Sequence, residues 1–480
     1  MKSTRFHQIG RMLASTLLAV AAALEFLPAA HAQSVSTNAV RRPLPRRSSI
    51  ILIVADGLGY GDLSCYGQTN FQTPNLDRLA AGGVRFTSYY AGDAVSSPAR
   101  AALMLGWDSS HLKQRADADV PLAADDITVA QFLGQSGYRT GLAGEWDLGG
   151  DGTSGAPWSK GFDVFDGYLD PGDAENYYAD FIWSYAPKSS SNPTNNPRGD
   201  YLGKVPLIAN AGGAKRAYVP DLLTQIALNF IKDNQPDPFN HYRSFFLVLN
   251  YTMLRANTAE TARTGNGMQV PTDAPYSEEA WPQPERNKAA MVARLDAGIG
   301  QILEQLKQQN IESNTVIFFT SDTGPHRDGG IDPKFFQSAG PFRGGRGDLY
   351  EGGLRVPMIV RWPAKIPAGQ VSDFTWAAWD FLPTATDIAL IKPRPKVDGI
   401  SVLPALLGQT QTNRHESFYW KLQGRDAVQA ARMGDWAAVQ PKAGAPLELY
   451  HLKTDPGETN NVADKNPDMI KKFAGLLKNK

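Results

Sequence analysis

Ile50-Ile51-Leu52-Ile53-Val54-Ala55-Asp56-Gly57-Leu58-Gly59-Tyr60-Gly61-Asp62 is the stretch on which the fold turns. The apolar run at its start, rich in β-branched residues, reads as a strand buried on both faces. The run stops at Asp56-Gly57, where a loop begins, so a carboxylate stands just past the strand's carboxyl end.

The same signal recurs downstream. Residues 138–143, 245–249, 316–320 and 356–361 are apolar enough to be strands, and 84–90 reads as one more. Between them, residues 74–81, 98–105, 128–135 and 221–231 read as helices, with Pro98 suited to a first turn. Val292, Leu295, Ile299, Ile302 and Leu306 mark a long amphipathic helix closed by Asn310. Strands alternating with helices imply an α/β fold: a large, mostly parallel central sheet flanked by helices. In such sheets ligands sit beyond the carboxyl ends of the strands, where Asp56 and Asp322 both fall. From about residue 370 short aromatic segments, Phe418-Tyr419-Trp420 and 436–439, suggest a small antiparallel sheet, followed by a terminal helix over 467–477. The expected divisions are a signal peptide over 1–32, a linker over 33–48, an α/β domain over 49–370 and a C-terminal α+β subdomain over 371–480.

Lys+Arg and Asp+Glu number 48 each, so no global charge points to nucleic acid or an anionic membrane surface. Lys2, Arg5 and Arg11, an apolar run over 12–24 and Ala30-His31-Ala32 form a secretory signal with cleavage expected after Ala32. The expected location is therefore periplasmic or secreted, with no membrane span after cleavage. The 1 cysteine, Cys65, excludes an internal disulfide and reads as a small core residue.

Several blocks, in order, carry a resemblance. They are the Ile50–Asp62 stretch, Thr73-Pro74-Asn75-Leu76-Asp77-Arg78-Leu79-Ala80, Ser96-Ser97-Pro98-Ala99-Arg100, Gly137-Tyr138-Arg139-Thr140-Gly141, Thr320-Ser321-Asp322-Thr323-Gly324, Tyr350-Glu351-Gly352-Gly353 and Leu452-Lys453-Thr454-Asp455-Pro456-Gly457-Glu458. Together they resemble bacterial arylsulfatase-type members of the sulfatase family, in the alkaline phosphatase superfamily. The resemblance implies a formylglycine made from the Cys or Ser of a Cys/Ser-x-Pro-x-Arg motif. It also implies a calcium ion on oxygen ligands, and lysines, histidines and the motif arginine around the sulfate.

Position by position, this chain departs from that pattern. The nucleophile position is Ser96 and the motif arginine is kept as Arg100. Of the paired aspartates after the first strand, Asp56 remains and its neighbour is Gly57; the later Asp-Asn pair is Asp322-Thr323. The sulfate-binding lysine position holds Glu145, a reversal of charge, and the next family position holds Asp147. A catalytic histidine position holds Arg255, and the lysine before Tyr350 is Arg346. Asp173 and Glu175 lie where related members carry histidines. His326 reads equally as a loop or a pocket residue, and His111 as a surface one. Losing one oriented charge-stabilising donor costs roughly a hundred- to a thousand-fold in rate, so several losses together remove most of an enzyme's acceleration.

The favoured reading is thus a degenerate homologue that binds a sulfated or other anionic small molecule, a glycan or an unidentified protein partner. No cofactor is expected, or calcium if the remnant site Asp56–Asp322 still works. The alternative is a divergent arylsulfatase-type hydrolase of sulfate or phosphate esters using Ser96 or its formylglycine form. A third reading is a partner subunit of an active paralogue. Arg100, Arg255 and Arg346 are expected to pair with Asp56, Glu145, Asp147 and Asp322 in one ionic network, because unpaired buried charge is costly.

Overall fold

The computed structural model describes residues 47–113, 120–186, 201–235, 244–392, 396–422 and 428–478. The expected signal peptide, its expected cleavage site and nearly all of the expected linker lie outside the described residues. Among the described residues no helix is long and apolar enough to cross a membrane.

The strands, in chain order, are β1 (Ser49–Ala55), β2 (Val84–Phe86), β3 (Tyr89–Tyr90), β4 (Arg139–Glu145), β5 (Val164–Tyr168), β6 (Phe181–Ala186), β7 (Tyr201–Pro206) and β8 (Phe245–Asn250). They continue as β9 (Thr315–Ser321), β10 (Met358–Arg361), β11 (Gln370–Ser372), β12 (Trp376–Ala377), β13 (Phe418–Leu422), β14 (Val428–Met433), β15 (Trp436–Gln440) and β16 (Glu448–His451). A ten-stranded sheet runs in the order β11-β2-β10-β9-β1-β8-β4-β5-β6-β7. Its centre is parallel: β1 pairs with β9 on one side and β8 on the other, β8 with β4 and β4 with β5. The flanks β10, β6 and β7 are antiparallel. The fold expected from the sequence, a large mostly parallel sheet with a smaller antiparallel one, is therefore what the chain adopts.

The apolar run of β1 is buried on both sides, as its sequence implies. Ile50, Leu52 and Val54 pack into one layer with the helices Ser96–Leu105, Val129–Gln135 and Phe381–Ile388. Ile51, Ile53 and Ala55 point into the opposite layer, against the helices Pro74–Ala81, Val219–Asp233 and Gln283–Gln308. Each such aliphatic side chain, fully buried, stabilises the fold by about 1.5–3 kcal/mol. The run cannot slip by one residue without exchanging these two sets, so the register of β1 against β8 and β9 is strongly fixed.

Residues 84–90, expected as one strand, form two. The chain leaves the large sheet after Phe86, and Tyr89–Tyr90 pairs instead with Trp376–Ala377. The long helix starts earlier than its apolar stripe, at Gln283, and Asn310 beyond its end takes φ +57, the left-handed geometry asparagine tolerates. The small sheet, β13-β14-β15-β16, is antiparallel throughout. Its strand β13 alternates: Trp420 faces the main core, while Tyr419 faces Phe473 and Leu477 of the helix Pro467–Lys478.

Candidate functional site

The four central strands β9, β1, β8 and β4 are neighbours and parallel, so their carboxyl ends open onto one place. Asp322 follows β9, Asp56 follows β1, Glu145 ends β4 and Arg255 lies shortly beyond β8. Backbone bonds fix these loops to one another. Asp56 donates its N–H to Met253 O (2.7 Å) and accepts from Leu254 N (2.5 Å), and Asp322 N–H donates to Ala55 O (3.0 Å). Tyr177, a buried phenol, donates toward Thr252 O (2.9 Å) and Arg255 O (2.5 Å), holding the segment that presents Arg255. Asn250 Nδ2 donates to Glu145 O (2.9 Å), tying β8 to the end of β4.

The helix Ser96–Leu105 points its first turn at the same place. Ser96 and Arg100 are four residues apart and share one face of it. Arg100 Nη2 donates to Asp56 Oδ2 and to Glu145 Oε2, both at 3.0 Å, and lies 3.1 Å from Asp322 Oδ2. Arg100 Nη1 stands 2.9 Å from Glu145 Oε1. Arg255 spans the same two acids, with Nη2 2.6 Å from Asp56 Oδ2 and Nη1 2.8 Å from Glu145 Oε1. Two carboxylates and two guanidiniums thus alternate in a closed ring. All four side chains are at least nine-tenths buried. Asp147 hangs at the edge, 3.8 Å from Arg100, with φ +56 and its backbone oxygen accepting from Ser97 Oγ (3.0 Å).

The ring sets the protonation states. Burial alone would raise the Asp56 carboxyl, but Arg255, then His326 and Arg100, outweigh it and hold it well below the usual carboxylate range. Burial would lower the Arg100 guanidinium; Glu145, Asp322 and Asp56 instead hold it well above its ordinary value. Asp147 is pushed up to about 7, first by burial and then by the neighbouring Glu145 charge. Asp322 is raised by burial and by Asp56.

His326 joins the cluster from the loop after β9. Its Nε2 lies 2.8 Å from Asp56 Oδ1, and since that carboxyl is ionised, the imidazole N–H donates to it. Gly57 makes room for this ring: a Cβ placed there would stand 1.9 Å from His326 Cδ2. Gly57 N–H donates to Asp322 Oδ1 (3.1 Å), and Thr323 Oγ1 lies 3.4 Å from the same oxygen. Ser96 Oγ is buried and finds no hydrogen-bond partner among the described residues.

Of the positions singled out in the sequence, Asp56, Arg100, Glu145, Asp147, Arg255 and Asp322 come together. Arg346 does not join them: no ion pair of its side chain occurs among the described residues, and its backbone N–H donates to Pro325 O (3.0 Å). Asp173 sits in the short helix Pro171–Ala174, and Glu175 accepts from Thr258 N (3.2 Å), both outside the ring. His111 pairs at the surface with Asp398 (2.7 Å). Cys65 is packed rather than reactive, its thiol pushed up to about 12 by burial and by Asp77. Sequence reasoning missed Tyr177, and it missed that His326 bonds Asp56. The glycine at a position where the resemblance implies a carboxylate was the available signal that another side chain fills that space.

Comparison with known proteins identifies the family. The family model described as Sulfatase matches residues 48–391, and that described as N-sulphoglucosamine sulphohydrolase, C-terminal, matches residues 346–479. The chain is 29% identical to an N-acetylgalactosamine-6-O-sulfatase of Bacteroides thetaiotaomicron over 90% of this chain and 93% of that protein. It is 30% identical to arylsulfatase A of Homo sapiens over 91% of this chain and 88% of that one. Among solved structures, Ps i-CgsB in complex with k-i-k-neocarrahexaose superposes with a TM-score of 0.72 at 27% identity, covering 90% of this chain and 93% of that chain. With matches that run through both sheets and through every strand that feeds the charged ring, the chain belongs to the sulfatase family.

Proposed function

We propose that this chain is an exported sulfatase-family protein whose inherited cleft is closed on itself, without ordinary formylglycine–calcium turnover, and which serves as a binding protein. The observation that carries this reading is the saturation of Asp56. Its Oδ2 faces Arg255 at 2.6 Å and Arg100 at 3.0 Å, and its Oδ1 faces His326 at 2.8 Å. Calcium takes about six to eight oxygen ligands. Here Gly57 offers no side-chain oxygen, Asp322 already receives Gly57 N–H and faces Arg100, and two guanidiniums stand where a dication would add a third positive centre. This donor set does not fit calcium. Glu145 further repels an anion at the position where the family pattern has a lysine.

Ser96 as an unmodified alcohol has no base bonded to it among the described residues, and as a nucleophile it would form a sulfated ester with no built-in means of release. The ligand class that suits the inheritance is a sulfated or otherwise anionic glycan; the structural relative Ps i-CgsB is complexed with a neocarrahexaose. The basic, apolar N-terminus supports export to the periplasm or beyond.

The named relatives favour a second reading, and more directly than they favour the first. The chain aligns over most of its length with proteins named as sulfatases, which supports a divergent arylsulfatase-type hydrolase of sulfate or phosphate esters. Ser96 in the motif position, with Arg100 retained one turn along, suits that reading too. One preparation separates the two. Elemental analysis of the purified chain, mass spectrometry of the peptide holding Ser96 and an aryl-sulfate assay are expected to give no stoichiometric calcium, unmodified serine and no turnover. Formylglycine at position 96, or turnover abolished by Ser96→Ala, establishes the hydrolase instead.

A further inference from the structure

We propose that Gly57 and His326 are one coupled exchange, in which the imidazole takes the space of a side chain at position 57 and donates its N–H to Asp56, while Arg255 supplies the protein-borne positive charge, the two together standing in place of a divalent ion. This rests on the reading above that calcium does not occupy the cleft. The steric half follows from distance: any Cβ at Gly57 falls 1.9 Å from His326 Cδ2 and 2.6 Å from Nε2, far inside contact. The ring is not the free end of a flexible chain. It is 3% exposed, its Nε2 is anchored on Asp56 at 2.8 Å, and its Nδ1 is buried, 4.0 Å from Asp328 Oδ2. Position 57 also has φ +66, a conformation that glycine adopts without strain. A side chain at 57 and an imidazole at 326 therefore exclude each other.

The electrostatic half follows from charge. A carboxylate at 57 would stand beside Asp56 and Asp322, and three clustered acids call for a compact cation of high charge. Glycine at 57 removes one of those acids. His326 then meets Asp56 Oδ1 while Arg255 meets Oδ2, so each oxygen of the carboxylate faces a donor belonging to the chain. The exchange turns a site that would need an ion into one that folds without it.

Two measurements on the full-length chain test the two halves. The first is a double-mutant cycle on Tm with Gly57→Ala and His326→Gly. The drop caused by Gly57→Ala in the native background is expected to be at least twice its drop in the His326→Gly background. The backbone strain of alanine at φ +66 is common to both and cancels. Equal drops overturn the exchange. The second is calcium titration by calorimetry, with terbium luminescence as a check. The native chain and the single variants Gly57→Asp and His326→Ala are expected to show no saturable binding. Gly57→Asp combined with His326→Ala and Arg255→Gln is expected to gain saturable calcium binding, with a Kd in the roughly 0.1–1 mM range of loosely built extracellular sites. A folded triple variant that binds no better than the native chain overturns the electrostatic half. Tight calcium binding by the native chain overturns the proposed function, while the Tm cycle still decides the exchange; if the triple variant does not fold, the cycle decides alone.

Discussion

Two of the buried clusters of charge among the described residues neutralise themselves in different ways. At the carboxyl ends of β1, β4, β8 and β9, acids and guanidiniums alternate, so the carboxylates of Asp56 and Glu145 are matched by Arg100 and Arg255. Where the small sheet meets the large one, two acids approach each other instead. Glu458 accepts from Glu351 N (2.7 Å), Tyr90 donates to both oxygens of Glu351 (2.8 Å each), and Arg355 lies 3.0 Å from Glu351. Among the described residues no ion pair reaches the Glu458 carboxyl, which is pushed up to about 9 by burial first and then by Glu351, with Arg343 opposing only in part, so it carries a proton at neutral pH. In the first cluster guanidiniums compensate the buried carboxylates; in the second Arg355 compensates Glu351 and a proton compensates Glu458.

Removing a member of the ring is the strongest way to break this contrast. Arg100→Met strips a partner from Asp56, Glu145 and Asp322 at once. Breaking a buried pair from one side costs about 3–5 kcal/mol, so the midpoint of guanidinium unfolding is expected to fall by that equivalent. Next comes Glu145→Lys, which restores the family's residue type but sets an ammonium against both guanidiniums. It is expected to destabilise by about 2 kcal/mol or more, read in the same titration, whereas a cleft still built for an anion would tolerate it.

The junction is probed by pH. Because the folded-state pKa of Glu458 lies above its ordinary 4.5, its contribution is complete below pH 4.5 and is lost as pH rises toward about 9. The native Tm is therefore expected to decline between pH 5 and 9, and Glu458→Gln to flatten that decline in scanning calorimetry. Asp56 has the opposite sign: its contribution is present above its ordinary 3.8 and is lost only on strong acidification. The smallest effect is expected from Arg346→Ala, about 0.5 kcal/mol or less, since that arginine stays outside the ring. A large loss there would place it in the ionic network after all.

What the sequence made legible follows from periodicity. β1, β8 and β9 are continuous apolar runs because both faces are buried, and such runs announce themselves. Strands β5 and β6 at one flank are only partly buried and mix Asp166, Gly167 and Ser184 with aromatics, so no clean alternation marks them. The helix Phe381–Ile388 is buried all round and contains Pro383, which hides its period. In the site, Asp56, Glu145 and Asp322 were readable because strand ends and family motifs locate them. That Arg346 stays apart while His326 enters was not readable, because both follow from the path of the loop beyond β9, which local sequence does not encode. The opening left by Gly57 is visible in the chain; which side chain enters it is decided in three dimensions.

Trp420 of β13 donates its indole N–H to Ala91 O across 329 positions of sequence, and Arg432 of β14 bonds Tyr90 across 342. Ala91 lies on the segment that leads into the helix bearing Ser96 and Arg100. The backbone beneath the ring is thus braced by residues at least 329 positions further along the chain. Contacts of such long sequence separation form slowly. A ribosome-bound or truncated chain ending near residue 391 would lack the rings of Phe418 and Trp420 that pack on Tyr90 and Trp379, and with them the brace on the segment that leads to the cleft.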